Sequence, residues 1–588
     1  MALVSALVLP MAPVAQAAQK RDVRVGLYYG NNGLPSANLQ NYTGSGYRFG
    51  YYDSSNKFIT LGSTSEKRIT MCKDANLYLS NGVFHEEAPA TSYRLVGAYH
   101  LQVNKTYNSY NEAKNAAASY PYGFPAYING KFVVRFEFYS TKGNAQADAG
   151  RFSNVSVVGG STTCYTVVNT ATGDILFEFD QGDLTGLAVS PDTTGVAEPI
   201  TWFKGYRYYG NFQYIRRYGN DLTVINVVDS DRYVEGVLPY EFVASGGLES
   251  LKAGAVAIRT FAMGSTKHKS LGFDVCNSTD CQVYHGAYFG AEREKIHQAA
   301  QSTSGQCLYY NGALIEATFY AANGGATETA GNTWAMDFPY LVAQKDPYEG
   351  LIAFNSKQWY YVVTPEQVRQ MLLRAGYSCG EIVSMEVTEL TSVGNVNEVQ
   401  ITDSSGRVFT YNKDGVRKLS NIEGITYFSR RFRILPVYNG VLPEMPPIND
   451  PSDYSSDGEI ITPTEPTPPT YAQGMTGPVT VLDGETMTER ESMYVLTANG
   501  VSHVKEPVTV LTDSGVYKVN PEASTASTQE TPVLRSAARN GGLTGWVIYG
   551  CGYGHNVGLS QWGAYAMASL DHTYEEILAF YYPGTKLN

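Results

Sequence analysis

A proline-rich stretch interrupts this chain at a place where a domain has begun but not finished. Residues 443 to 470 carry Pro443, Pro446, Pro447, Pro451, Pro463, Pro466, Pro468 and Pro469 among acidic and Ser/Thr residues, the composition of an extended linker or an exposed insertion. Upstream, from about Trp202 to Tyr438, strands alternate with helices. Leu222 to Val228 (LTVINVV) reads as a strand. Leu248 to Met263 reads as a helix, with Leu248, Leu251, Ala255, Ile258 and Ala262 on one face and Ser245 as its N-cap. Downstream, residues 475 to 520 hold short Val/Thr runs split by Gly and Asp, the pattern of a small β module. The pattern changes again at Gly545 to Asn588, which runs strand (Trp546 to Tyr549), glycine turn, helix, helix and a stop at Pro583-Gly584. Such a tail does not continue the β module, and it supplies the end that the upstream domain lacks. Residues 443 to about 540 therefore read as an insertion into a discontinuous domain.

The 588 residues suffice for about three to five folded units. From about Arg21 to Ile200 the sequence is rich in Tyr, Gly and Thr, with alternating stretches such as Val23 to Tyr28 that read as strands. Inside it, Tyr99 to Val103 is a strand, Tyr110 to Ser119 a helix, Ala126 to Ile128 and Phe132 to Phe138 strands, and Gly143 to Ala149 a second helical stretch. This segment resembles the SPOR domain, which implies binding to peptidoglycan glycan strands that lack stem peptides; a generic small α/β unit is the alternative. The expected class is α+β and multidomain: a mixed α/β catalytic domain interrupted by a small β-rich insertion, preceded by a β-rich N-terminal region with the SPOR-like unit. The expected partition is a signal peptide at 1–17, a β-rich region at 18–95, the SPOR-like unit at 96–155 and a β-rich connector at 156–200. It continues with catalytic parts at 201–440 and 541–588, a Pro-rich linker at 441–474 and the β insertion at 475–540.

Charge and cysteine usage remove several function classes. Lys plus Arg number 43 against 55 Asp plus Glu, a net charge of −12, so no basic excess exists to neutralise a phosphate backbone and nucleic acid is not an expected partner. With 17% charged residues but 46 Tyr and 58 Gly, the chain expects an uncharged polar exterior suited to sugars or to a wet, rigid surface. The N-terminal MALVSALVLPMAPVAQAAQK is an apolar run ending in Ala15-Gln16-Ala17, the small-x-small pattern of signal cleavage, although no basic residue precedes it; a buried helix is the alternative. No later segment approaches the ~20 apolar residues of a membrane span. The expectation is a secreted or envelope-located chain, outside the cytoplasmic membrane and without a helical anchor. Seven cysteines (72, 164, 276, 281, 307, 379 and 551) are too few and odd in number for a disulfide scaffold.

Three stretches carry chemistry together. The first is Asp231 to Glu241 (DRYVEGVLPYE) with the helix containing Leu251 to Ala262 (LKAGAVAIRTFA); the second is Cys276 to Gly286 (CNSTDCQVYHG) with Phe319 to Glu328 (FYAANGGATE); the third is Gly550 to Ala564 (GCGYGHNVGLSQWGA). In these residues the chain resembles the stage II sporulation protein D family, also described as the amidase enhancer domain. Ala322-Asn323 departs from the Ser that precedes the paired glycines in the family. The resemblance covers roughly 200–440 and 545–588. It implies a lytic transglycosylase acting on peptide-free glycan, with Glu241, the Glu of the P-x-E motif, as catalytic acid/base.

A single carboxylate suits that reaction. A hydrolytic glycosidase needs a second carboxylate as nucleophile or base, whereas a lytic enzyme lets the C6 hydroxyl of N-acetylmuramic acid attack and form a 1,6-anhydro end. Glu241, between Tyr240 and Phe242 at the expected junction of a strand and a helix, has the apolar, rigid setting that favours the protonated form. Lys252 and Arg259 lie seven apart on one helical face; holding the lactyl carboxylate of muramic acid and serving as ordinary surface cations are both open. Gly550-x-Gly552-x-Gly554 lacks the spacing of a dinucleotide fingerprint. Its glycines are expected to bring His555 and Gln561 beside a sugar, His555 either orienting Glu241 or holding the saccharide or staying buried as a structural residue. The resemblance further implies Asn323, Gly324, Gly325, Gln282 and Tyr284 as groove-lining residues. No cofactor is required. Sporulation members with a Cys/His cluster before the QVY motif bind zinc, and Cys276, Cys281, Asp280 and His268 are the corresponding candidates for a structural zinc, Asp280 standing where a His is expected. A Cys276–Cys281 disulfide and two free thiols are the alternatives. The expected partner is the glycan strand, and the rival function is a binder that activates a cell-wall amidase.

Overall fold

The computed structural model describes residues 22–445 apart from 184, 335, 352–357 and 427, then residue 448, the backbone of short strands between 480 and 516, and residues 542–588. The expected signal peptide and most of the Pro-rich linker lie outside the described residues. So does most of the 475–540 module, where three two-stranded hairpins are described, the longest pairing Met493–Thr497 with Gly500–Val504. No helix among the described residues is long and apolar enough to cross a membrane.

The protein is mixed α+β with several sheets, and its contacts divide it into two compact units. The first comprises residues 1–322, 337–342 and 557–588; the second comprises 323–336 and 343–556. These units do not follow the expected boundaries. The N-terminal strand Asp22–Tyr28 pairs antiparallel with Thr223–Asp229 and parallel with Val275–Cys276, so the supposed N-terminal region is built into the same sheet as the motif-bearing residues. The 156–200 connector likewise contributes Tyr165–Asn169, Ile175–Asp180 and Leu187–Pro191 to the two large sheets of the first unit. A strand whose alternate residues are apolar must be covered on that face, and Val23, Val25 and Leu27 are buried.

The larger of these sheets has ten strands. At one end Tyr99–Tyr107, helix α1 (Tyr110–Ala117), Phe124–Ile128, Lys131–Tyr139, helix α2 (Lys142–Ala149) and Val155–Gly159 run strand, helix, strand, strand, helix, strand. The first strand lies between the last, at the sheet edge, and the third, and the second follows the third and pairs with Ile175–Asp180, the split βαβ arrangement. Ser109 and Thr141 cap the two helices through Glu112 and Asn144 N–H. At the other end the sheet closes with Thr201–Phe203 and the edge strand Tyr206–Tyr208.

Three helices organise the rest of the first unit: α3 (Ser230–Glu241), α4 (Leu248–Gly264) and α5 (Arg293–Ser302). The α4 helix was expected to bury one face. It packs instead against α3, α5 and the two C-terminal helices Gln561–Ser569 and Tyr574–Tyr581, and Leu251, Ala253, Ala255, Val256, Ala257, Ile258 and Ala262 are all buried. A helix apolar all round is a central one. Its N-cap is Gly247, with no side-chain cap bond, rather than Ser245.

In the second unit Leu543–Cys551 is the middle strand between Gln358–Val363 and Phe432–Tyr438. Its core gathers Trp359, Trp546, Ile548 and Phe432 with Met371 and Leu372 of the helix Pro365–Arg374 and with the sheet formed by Ile382–Leu390, Val396–Asp403 and Val408–Asn412. The segment expected as one C-terminal part from 541 is thus shared: the strand belongs to the second unit, and residues 557–588 to the first.

Candidate functional site

Glu241 is the last residue of α3, which follows a strand and ends at the acid; the expected passage from strand into helix at Glu241 does not occur. Asp229 opens the helix by accepting the Asp231 N–H at 2.9 Å. Pro239 falls in the last turn, and the chain leaves through Phe242 at φ −113°, ψ 159°. The helix C-terminus, with its partial negative charge, disfavours an anion there. Burial raises the Glu241 pKa above its ordinary 4.5, opposed by two hydrogen bonds. Val283 N–H donates to Oε1 at 2.7 Å, and Gln561 Nε2 makes a long, weak contact to Oε2 at 3.5 Å. Gln561 is held as the first residue of its helix by the Ser560 cap, whose hydroxyl accepts from Gly563 N–H at 3.0 Å. Neither partner of Glu241 is charged.

The loop that delivers Val283 is pressed between α3 and the edge strand. A Cβ on Gly236 would meet Gly286 O at 2.4 Å and the Tyr284 ring at 2.5 Å; one on Gly286 (φ +76°) would meet Arg207 O at 2.2 Å. Ala287 N–H donates to that same Arg207 carbonyl at 2.7 Å. Along this extended loop burial alternates, with Gln282, Tyr284 and Gly286 inward and Val283 and His285 partly exposed, the two-residue period of a strand-like segment.

Upstream in the same loop the four metal candidates meet. One ligand atom from each of His268, Cys276, Asp280 and Cys281 lies within 4.8 Å of all the others. Cys281 Sγ is 3.3 Å from His268 Nε2, Asp280 Oδ2 is 3.6 Å from that nitrogen and 3.9 Å from Cys276 Sγ, and Lys267 Nζ holds the other Asp280 oxygen at 2.6 Å. Both cysteines are free thiols, so the expected disulfide alternative does not hold. The Cys276 thiol is lowered to about 4, chiefly by the hydrogen bond from Cys281. Tyr29, just past the N-terminal strand, packs on Phe273 at 4.9 Å and His268 at 5.8 Å.

In the second unit Asn323 is fully buried and its turn is clamped by acids. Asn323 N–H and Gly324 N–H donate to the two oxygens of Glu349 at 2.7 Å each, and Asn323 Nδ2 donates to Asp346 at 2.6 Å. His555 is half-buried, its ring 5.1 Å from that of Trp334. Tyr553 of the same glycine loop, together with Trp334, Phe428, Lys413, Arg417 and Lys418, lines an open cavity of about 790 Å³.

Residues 218–310 match the family model described as stage II sporulation protein. This segment resembles the stage II sporulation protein D and amidase enhancer family. The chain is 26% identical over 354 residues to the amidase enhancer of Bacillus subtilis, covering 60% of this chain and 40% of that protein. It is 34% identical over 133 residues to the stage II sporulation protein D of the same organism, covering 20% of this chain and 39% of that one. An uncharacterized protein of Brachyspira hyodysenteriae is 26% identical over 397 residues, covering 65% of this chain and 73% of the other. The chain thus spans about 40% of the length of the two Bacillus subtilis relatives.

Glu241, Lys252, Arg259, Gln282, Tyr284 and the four metal candidates fall within the family match; Asn323, Gly324, Gly325, His555 and Gln561 fall beyond it. Several expectations fail on placement. Arg259 is not on a surface: it is 1% exposed, its Nη2 pairs with Asp231 at 3.0 Å, and it donates to the Ala300 and Gln306 carbonyls at 3.2 Å. It ties α4 to α3 and α5. Lys252 bonds Glu249 at 2.6 Å and lies 5.5 Å over the Tyr574 ring, while Glu249 accepts Tyr574 N–H at 2.9 Å, a bracket for the C-terminal helix. Gln282 and Tyr284 do not line a groove either. Gln282 is buried and accepts from Tyr233 OH at 2.7 Å, and Tyr284 OH donates to the buried Asn226 at 2.7 Å. Sequence reasoning passed over the Val283 N–H, which no side-chain motif reveals, and took His285 only as a neighbour of the Cys276/Cys281 cluster, not as the ring between Tyr206 and Tyr240.

Proposed function

We propose that this chain is an exported peptidoglycan lytic transglycosylase acting on glycan strands stripped of their stem peptides. The observation that carries the reading is Glu241 at a helix C-terminus, half-buried, raised in pKa and held by uncharged donors alone. A protonated carboxyl in such a setting is a general acid. The Glu241 proton passes to the glycosidic oxygen between N-acetylmuramic acid and N-acetylglucosamine, and the C1–O bond breaks. The C6 hydroxyl of the same muramic acid then bonds to C1 and gives its proton to the Glu241 carboxylate, closing the 1,6-anhydro ring and restoring the acid. Protons balance with one carboxyl. The Val283 N–H steadies the anion between the two steps, and no second carboxylate is needed.

The four-residue cluster fits zinc: two thiols, an imidazole and a carboxylate are its usual donors, and their separations suit a tetrahedral ion after slight contraction. His268, Cys276, Asp280 and Cys281 would hold it. Cys281 is two residues from Val283, so the ion would brace the loop whose N–H positions Glu241. The split βαβ end of the ten-stranded sheet supports the SPOR-like reading as a second glycan-holding module, and the apolar run ending at Ala17 supports export. Incubation with peptide-free glycan and mass spectrometry of the products tests the reaction. The expected result is anhydro-muramic ends from the parent and none from Glu241→Gln; equal yield from both would overturn it.

A second reading rests on the name of the amidase enhancer relative: the chain binds glycan and stimulates a separate cell-wall amidase. It predicts stimulation that survives Glu241→Gln.

A further inference from the structure

With Arg259 consumed in the core and Lys252 bracketed by Glu249, a free lactyl carboxylate has lost the partners expected for it. A different pair of guanidinium groups lies on the surface reached through the residues that flank Glu241 and Val283. Tyr240 and His285 meet in a T-shaped contact, centroids 4.6 Å apart at 85°, and His285 stacks face to face on Tyr206 at 4.9 Å and 8°. Tyr206 stands on the edge strand of the ten-stranded sheet. Its neighbour Arg207 lies 4.1 Å over the Tyr42 ring and 5.0 Å over Phe289, and Arg293 lies 5.0 Å over Phe289.

Two features mark this row as built for a ligand. The rings of Tyr42, Tyr206, Tyr240 and Phe289 belong to residues 38–52% exposed, and a contiguous exposed aromatic patch signals an interaction surface. In addition, Arg207 and Arg293 have no acidic partner among the described residues and both lie over the one exposed ring of Phe289. A guanidinium stacked on a ring keeps its planar edge free for a carboxylate. Two guanidinium groups converging on one exposed ring favour an anionic, ring-bearing occupant.

We propose that this shelf is a glycan subsite leading away from Glu241, in which Tyr240 and Tyr206, braced by His285 between them, take the apolar faces of pyranose rings and Arg207 and Arg293 take the free lactyl carboxylate of muramic acid. The inference rests on the reading that the protein handles peptide-free glycan, and it gives the reason for that preference. A stem peptide converts the carboxylate into an amide and removes the charge the two arginines recognise.

The test uses the full chain carrying Glu241→Gln, so that substrate stays whole. Calorimetric titrations compare a soluble oligosaccharide of alternating N-acetylglucosamine and peptide-free muramic acid with an N-acetylglucosamine oligomer of equal length. Adding R207A and R293A should weaken the muramic ligand about tenfold, as expected for two partly exposed ion pairs, and leave the neutral oligomer unchanged. Adding Y206A should weaken both ligands about tenfold. Arg293 is exposed, so R293E alone provides a variant whose folding is not at risk, and it should also weaken only the muramic ligand. Unchanged affinity of all variants for both ligands overturns the shelf, as does an equal loss on both ligands from the arginine changes. Anhydro ends are measured separately with Glu241 intact. Absent cleavage with arginine-dependent binding sinks the lytic reaction alone, and cleavage with arginine-independent binding sinks the shelf alone.

Discussion

The Arg259→Ala variant decides between two roles for a motif residue. The Asp231 and Arg259 side chains are 0% and 1% exposed and 3.0 Å apart. The Asp231 carboxylate also accepts the Ser304 hydroxyl at 2.6 Å. Truncation strands that carboxylate in the interior and frees the Ala300 and Gln306 carbonyls from their 3.2 Å bonds. Removing one partner of a buried ion pair costs about 3–5 kcal/mol. At about 2–4 °C per kcal/mol for a large unit, the melting temperature should drop by about 6–20 °C. Scanning calorimetry of the full chain reads this directly. The double variant R259M/D231L should lose less than either single change, because a matched apolar pair leaves no stranded charge. A surface cation that binds substrate would behave in the opposite way: stability within about 0.5 kcal/mol of the parent and a raised KM. An R259A protein that melts with the parent while binding glycan more weakly would refute the structural role.

Three further outcomes follow from the same geometry. Burial holds the Glu241 pKa above 4.5, so the folded state binds more protons there than the unfolded one. Its contribution to stability is therefore present at low pH and declines as pH rises through the raised value. Glu241→Gln should consequently be at least as stable as the parent at neutral pH and lose that advantage below pH 4.5, and melting curves that stay parallel across pH would contradict this; in the active parent the rate should fall as pH rises through the same value. Purified protein should contain about one zinc per chain, lost from C276S and C281S together with thermal stability and glycan cleavage, and full stability in a metal-free preparation would remove the zinc proposal. Gly286→Ala should cost about 1–3 kcal/mol and depress glycan binding, because its Cβ would press on the Arg207 carbonyl. Gly305→Ala, at a similar φ of +73° with nothing within 4 Å, is the control that bears the backbone strain without the collision.

The parts of the fold that were legible are those where a local pattern has one structural solution. Leu222 to Val228 and Leu248 to Met263 were read to within a residue or two of the observed Thr223–Asp229 and Leu248–Gly264, since apolar period and length leave little choice. The order of elements from Tyr99 to Ala149 was legible for the same reason. Partner choice was not. Nothing in Asp22–Tyr28 says that it pairs with a strand two hundred residues away, because register is set by the faces both strands must bury and not by either alone. The helix carrying Lys252 and Arg259 shows the same limit more sharply. Two cations seven residues apart look alike on a helical wheel, yet one reaches Glu249 near the helix start and the other meets Asp231 at the centre of the unit. Small residues at Ala253, Gly254 and Ala257, on faces the one-sided reading left to solvent, were the available sign that α4 is enclosed all round, and an enclosed helix keeps an arginine only if a buried acid answers it. The same reasoning applies to the loop at 281–286. Its motif residues Gln282 and Tyr284 hold the scaffold from inside, so what the loop presents outward comes from their neighbours: the Val283 N–H to Glu241, and His285 to the aromatic row beyond it.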